Sequence, residues 1–338
     1  MRGAVRRGAD RLSPVRRWED SPEGAVSRPR LLAAGGAHID RRGRLTVEYV
    51  AEASNPGQMR EDVGGGAFNA ARWAVRRDIA VSLVSLRGGD ASGERVALAI
   101  EEAGIEDLSA TYLDRATPSY TAILTREGEL VTGLADMELY EIGFPKQLRR
   151  RKVREAAREA DALLADANMP EEALALFAGL APEKPLFAIA VSPAKAPRLL
   201  PSFGRISCLY MNRREACRLA GLSPDAEPRA AAEALASLGL SAGIITRGDN
   251  PAVCFDQGML FEIAPPPVSR IADVTGAGDA LAGATVAALM RGLSLAEAVR
   301  EGLAAAMLTV ESEEASPETD EAAFRAALAQ VPQPRMLT

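Results

Sequence analysis

From about residue 150 onward the chain alternates between apolar, strand-like runs and amphipathic segments of helical period. Few folds accommodate that alternation. A helix over 150–160 leads to a strand at DALLADA (161–167), and a helix over 170–179 leads to LFAIAVS (186–192). CLYMN (208–212) precedes a helix over 213–220, and a helix over 228–238 leads to AGIITRG (242–248). A hairpin is expected over 251–263, and helices over 295–312 and 320–330. Strands alternating with helices predict an α/β fold with a mainly parallel sheet covered on both faces.

The N-terminal half keeps part of this pattern. LLAAGGAHID (31–40) reads as a buried strand running into a Gly-Gly turn, and GGGAFNAARWAVRR (64–77) as a glycine turn opening a helix. IAVSLVSLRG (79–88) reads as a strand and SGERVALAIEEAG (92–104) as a helix stopped by Gly104. Two polar segments, 43–63 and about 111–137, break the alternation; the second has the form of a hairpin turning at Glu127-Gly128. They predict a small β subdomain on one edge, placed as a lid over a single domain spanning 30–330. The Arg-rich residues 1–29 have no periodic apolar face and no signal-peptide core, and read as a disordered tail.

Composition narrows the function classes. With 47% hydrophobic and 25% charged residues, the 338-residue chain is an ordinary soluble globular protein with room for a sizeable core. A net charge of −6 argues against a nucleic-acid partner, and no apolar run approaches the ~20 residues of a membrane span. The single histidine, His38, and three scattered cysteines, Cys208, Cys217 and Cys254, argue against a structural zinc site and fit a reducing cytoplasm.

The chemistry concentrates in IADVTGAGDALAGA (271–284). Asp279 ahead of an apolar helix could simply be an N-cap. Yet Gly276 and Gly278 allow a sharp turn and close approach of a ligand, and a helix start offers free amides and a positive dipole end to an anion. A carboxylate beside an anion site would repel its ligand unless it takes a proton from the attacking group. The stretch therefore reads equally as a base next to a phosphate site.

Several nucleotide-binding signatures are absent. None of the four lysines follows a glycine, so there is no P-loop; Gly276-Ala277-Gly278 is followed by Asp-Ala-Leu, so there is no dinucleotide fingerprint. What is present is an ordered set: Gly-Gly followed by Asp40, Gly-Gly-Gly-x-x-Asn at 64–69, Asn-x-x-Glu at 212–215, Thr-x-Gly at 246–248, and Asp-x-Thr-Gly-Ala-Gly-Asp at 273–279. This set resembles the ribokinase-like (PfkB) carbohydrate and nucleoside kinases over nearly the whole chain.

The resemblance implies a three-layer α/β/α fold, ATP as phosphoryl donor, Mg²⁺, and in some members K⁺. It implies that Asp279 is the base and that Gly276, Ala277 and Gly278 form the anion hole together with the Asp279 amide. It places Asp40, Gly65, Gly66 and Asn69 around a sugar, and Thr246 and Gly248 at the nucleotide phosphates. Asn212 and Glu215 would order Mg²⁺ through water, although alone they are also a plain helix start. Asp273 and Thr275 correspond to positions that hold a monovalent cation through backbone oxygens, and lids of the family pair into homodimers.

Finer stretches, GGAHIDRRG (35–43), SNPG (54–57), LADM (134–137), KAPRLLP (195–201) and NRREACRLAG (212–221), look like bacterial pseudouridine kinases. On that resemblance the substrate is a nucleoside phosphorylated at its 5′-hydroxyl, and Asn55 and Lys195 face the base; Lys195 alone could equally be a surface lysine. His38, Phe68, Ile189, Ala190, Tyr210 and Met211 depart from that pattern near the substrate. They leave another sugar or nucleoside kinase, or a non-catalytic nucleoside-binding regulator, as alternatives.

Overall fold

The apolar runs assemble into one ten-stranded sheet in the computed structural model, which describes residues 28–337. All but the last two residues of the tail expected over 1–29 lie outside the described residues. From one edge the strands run Glu106–Asp107, Ala80–Val84, Arg30–Ala34, Ala162–Asp166, Leu186–Ile189, Ile206–Asn212 and Ala242–Arg247, all parallel. Asn250–Asp256, Met259–Ile263 and Arg335–Met336 then complete the sheet as antiparallel strands.

Both faces of the central strands are covered because their side chains alternate with a period of two. Leu31, Ala33, Ala162 and Leu164 join one core with the helices Gly66–Arg76, Ala277–Met290 and Leu295–Val310. Leu32, Ala34, Leu163 and Ala165 join the other, with the helices Glu138–Gln147, Arg151–Glu159, Glu171–Ala178, Arg213–Ala220 and Pro228–Ser237. Each crossover helix is thus sandwiched against an apolar sheet face.

The polar segments form a second sheet of four strands ordered Gly57–Gly64, His38–Leu45, Ser119–Leu124 and Leu130–Asp136. Ion pairs Arg41–Glu61 and Arg42–Asp62, both at 2.8 Å, tie its first two strands together. Residues 111–118, expected in this sheet, do not belong to it. Ala110–Tyr112 instead pairs with Leu86–Gly88, which splits the single strand expected over 79–88 into two.

Other elements differ from expectation for local reasons. The strand expected over 186–192 ends at Ile189, because Val191 adopts φ +66°, a left-handed conformation that a β-branched residue rarely takes. The Glu138–Gln147 helix contains Gly143 and Pro145 and so carries little helical signal, yet it buries Tyr140 and Phe144 completely. Tertiary burial overrides propensity there.

Two helices that flank the candidate site meet at a glycine. A Cβ on Gly283 would lie 2.2 Å from the Ala70 carbonyl oxygen, so the Gly66–Arg76 and Ala277–Met290 helices approach too closely for any side chain. Gly283→Ala is therefore expected to destabilise the fold by about 1–3 kcal/mol despite alanine's better helix propensity. Chemical denaturation checks this; an unchanged midpoint would show that the helices have room to part.

Candidate active site

The carboxyl ends of the parallel strands form one edge, where ligands of open α/β sheets bind. The strand Arg30–Ala34 there runs into the turn at Gly35 and Gly36, and the second sheet's Gly57–Gly64 strand runs into the turn at Gly65 and Gly66. Between the turns lies Asp166, the last residue of the Ala162–Asp166 strand and fully buried. Its Oδ2 accepts from the amides of Gly36 (2.9 Å) and Ala67 (2.8 Å) and from Asn168 Nδ2 (3.0 Å), and its Oδ1 from the Asn168 amide (2.9 Å). A buried carboxylate is tolerable only when so fully satisfied. Gly65, at φ +112°, faces the Gly36 carbonyl, where a Cβ would come within 2.4 Å.

Asp279 stands opposite these turns. The helix cap is Gly276 in the left-handed region, so Asp279 is the third residue of the helix rather than its N-cap. Its Oδ2 accepts from Asn69 Nδ2 at 2.9 Å. The Asp279 residue is partly accessible but closely surrounded, and burial pushes its carboxyl up to about 6. The Asn69 bond opposes that rise, nearby Asp166 and Asp40 add to it, and His38 opposes it. The helix start itself is open, since a Cβ on Gly278 would meet nothing within 4 Å. The Gly278 and Asp279 amides precede the first intrahelical bond, donated by Ala280 to Gly276 at 2.8 Å, as the first amides of a helix do. The Ala277 amide, expected in the anion hole, donates weakly to the Val274 carbonyl at 3.4 Å.

The sugar-side candidates converge. Asp40 lies on the second sheet against Gly64, with His38 Nε2 3.3 Å from its Oδ1. Gly66 packs against both Asp166 and Asp279. Lys195, at the start of the 3₁₀ turn Ala196–Arg205, points Nζ at Asn168 Oδ1 (2.6 Å). Burial lowers its pKa, while Asp166 and Asp40 hold it up. Asn55 does not converge: its amide bonds Val50 and Ala53 within its own exposed loop, at 2.8–2.9 Å.

On the nucleotide side, Asn212 and Thr246 are register partners at the ends of adjacent strands, and Gly248 follows at φ +65°. Asn212 and Glu215 form a reciprocal capping box at 3.0 and 2.7 Å, so the plain helix-start role is realised. Glu215 is nonetheless buried, and its carboxyl rises to about 7 through burial, with the Asp279 charge adding to the rise. One Glu215 oxygen is left over by the box. That suits an Mg²⁺ ion held mainly by phosphate and water, not a protein cage, and no group of three metal-ligating side chains occurs among the described residues.

At Asp273 one carboxylate oxygen accepts from the Thr275 amide at 2.8 Å and the other pairs with Arg42 from the second sheet, so its side chain serves the turn and the lid contact and leaves cation coordination to backbone oxygens. Sequence reasoning missed Asp166, Asn168, Tyr140 and Arg72. A carboxylate ending the otherwise apolar run ALLAD was a readable signal for Asp166; the others have none.

Residues 32–322 match the pfkB family carbohydrate kinase. The chain is 28% identical over 281 residues to an uncharacterized sugar kinase of Escherichia coli (strain K12), covering 82% of this chain and 77% of that one. It is 26% identical over 279 residues to the pseudouridine kinase of the same strain, covering 80% and 87%. A solved carbohydrate kinase from Agrobacterium tumefaciens is 46% identical and superposes with a TM-score of 0.80 over 91% of this chain and all of that one. This chain belongs to the pfkB family of carbohydrate kinases and has their three-layer, ribokinase-like α/β fold.

Proposed function

We propose that this kinase phosphorylates the 5′-hydroxyl of a nucleoside, with pseudouridine as the favoured acceptor. The observation that carries the phosphoryl-transfer reading is the Asp279 carboxylate, held by Asn69 beside an open helix start. Asp279 takes the proton of the acceptor hydroxyl as its oxygen bonds to the γ-phosphorus and the bond to the bridging oxygen of ADP breaks. The Gly278 and Asp279 amides hold charge on the transferring group. Bound Mg²⁺ would supply charge neutralisation on the phosphates, and Glu215 and Asn212 would order its water.

Asp279→Asn is expected to lower turnover by ~10²–10⁴ while the enzyme stays folded. The stability sign follows from linkage. A carboxyl raised from its ordinary 3.8 to about 6 binds its proton more tightly when folded. Its contribution is fully present below about pH 4 and lost as pH rises through 6. At pH 8 the Asn variant should then be at least as stable as the parent, and the parent's kcat should fall as pH drops through about 6. Near-normal turnover in the variant would sink the base assignment.

The pseudouridine assignment rests on the finer sequence resemblance and on Lys195, whose ammonium donates to Asn168 and interacts with the charges of Asp166 and Asp40. In a competition assay pseudouridine should show a higher kcat/KM than uridine, adenosine or ribose. Sites built on hydrogen bonds can reject unmatched analogues by ~10⁴-fold. Lys195→Ala should raise KM for pseudouridine more than it lowers kcat. Preference for ribose or another free sugar favours the second reading, a sugar kinase, which the similarity to the uncharacterized sugar kinase supports.

The second sheet serves as a lid in this reading, since it carries Asp40, and Arg42 ties it to the loop before the anion hole. Its outer positions Met59, Leu130 and Leu134 are all more than half exposed, an apolar surface suited to a second copy of the chain. Hydrogen exchange over 57–64 and 119–136 should slow with nucleoside and with rising protein concentration, while 162–189 changes little. Uniform protection across the chain would contradict both roles.

A further inference from the structure

A guanidinium stands behind the base in a position the reaction described so far does not use. Arg72, one helical turn beyond Asn69, donates from Nη2 to Asn69 Oδ1 at 2.6 Å. Its guanidinium carbon lies 4.6 Å from the centroid of the buried Phe68 ring, and its Nε is buried without a hydrogen-bond partner. A side chain free to reach solvent would not leave that donor unsatisfied. Asp62, Glu314 and Asp279 supply negative charge around it, and Arg76 positive.

An amide side chain has a donor end and an acceptor end on nearly identical shapes, so its orientation is set by its neighbours. Arg72 can only donate, and ionised Asp279 can only accept. With Asn69 as found, Oδ1 meets the guanidinium and Nδ2 meets Asp279, and both contacts are satisfied. With the amide turned over, two donors would face each other at Arg72 and two acceptors at Asp279. We propose that Arg72 is a positioning residue which fixes the Asn69 amide so that its NH₂ end holds one oxygen of Asp279 and leaves the other for the acceptor hydroxyl. The proposal rests on Asp279 acting as the base.

The groups facing Asp279 are His38 and Asp40 from the second sheet, Asp166 from the central strand, and Glu215 and Asn69 from flanking helices. Three of these are carboxylates, so the Asn69 donor is the contact whose loss the base would feel most directly. Burial pulls the Arg72 guanidinium down to about 10, which leaves it charged throughout the working range.

The test is a carbon-NMR titration of the Asp279 carboxyl alongside the pH dependence of kcat, in the parent, Arg72→Met, Arg72→Lys, Asn69→Ala and the Asn69→Ala/Arg72→Met double variant. Arg72→Met should move the Asp279 titration and the acid limb of kcat upward together, by about one pH unit. Arg72→Lys, which keeps one donor and is the variant safer to fold, should fall between. In the Asn69→Ala background, removing Arg72 should move Asp279 little further. An unchanged Asp279 titration in both Arg72 variants, or an equal shift with and without Asn69, would overturn the proposal; the latter would assign Arg72 a through-space charge effect instead. The titration needs no turnover, so a parent enzyme whose Asp279→Asn variant still turns over refutes the base assignment separately.

Discussion

The arrangement depends on one buried carboxylate. Asp166 ends the central strand and accepts four hydrogen bonds, two of them from the glycine turns that follow Arg30–Ala34 and Gly57–Gly64. Those turns follow strands of different sheets, and one Asp166 oxygen shared between the Gly36 and Ala67 amides fixes one against the other. Glycine is required around it because a Cβ on Gly35 would lie 2.4 Å from the Asp166 carboxyl carbon. Through Asn168 the same carboxylate fixes Lys195, and through the Ala67 amide it sets the start of the helix that carries Asn69 and Arg72.

This placement concentrates negative charge. Asp279 interacts with Asp166, Asp40 and Glu215, and burial, with these like charges adding, raises the pKa values of Asp279 and Glu215. The cationic side chains are set back from the reacting edge: Lys195 on Asn168, Arg72 on Asn69, Arg42 on Asp273 and Asp62. Each cation is tied to a neutral amide or to a carboxylate away from Asp279, so none forms a direct ion pair with the base. A base locked in such a pair would be ionised but too weak to accept a proton.

The alternation of strands and helices from 150 onward was legible because apolar periodicity is a local property of the chain. The turn and helix start at 276–279 were legible for a similar reason, since glycine, small residues and aspartate at fixed spacing encode both together. Less was legible where chemistry depends on partners distant in sequence. Asn212 and Glu215 satisfy the sequence pattern of a capping box and of a metal relay at once; the fold realises the capping box, and only the tertiary structure shows that Glu215 is also buried near Asp279. Asn55 had the right residue type, yet its own loop takes up every polar atom of its side chain. The Glu138–Gln147 helix was hidden by Gly143 and Pro145, and with it Tyr140, which bonds the Ala37 backbone beside His38.

By itself the sequence determined the layers, the parallel core and the glycine turns, and it singled out Asp279, because each is written in contiguous residue patterns with a physical period or a turn requirement. The tertiary structure alone decided which groups surround that base. Asp166 is 113 residues from Asp279 in the chain, and Asn69 is 210 residues from it. Whether a carboxylate is an N-cap, a metal relay or a proton acceptor is set by burial and by neighbours across such gaps. Those neighbours are chosen by how the sheet edges and helices pack, and no local pattern records them.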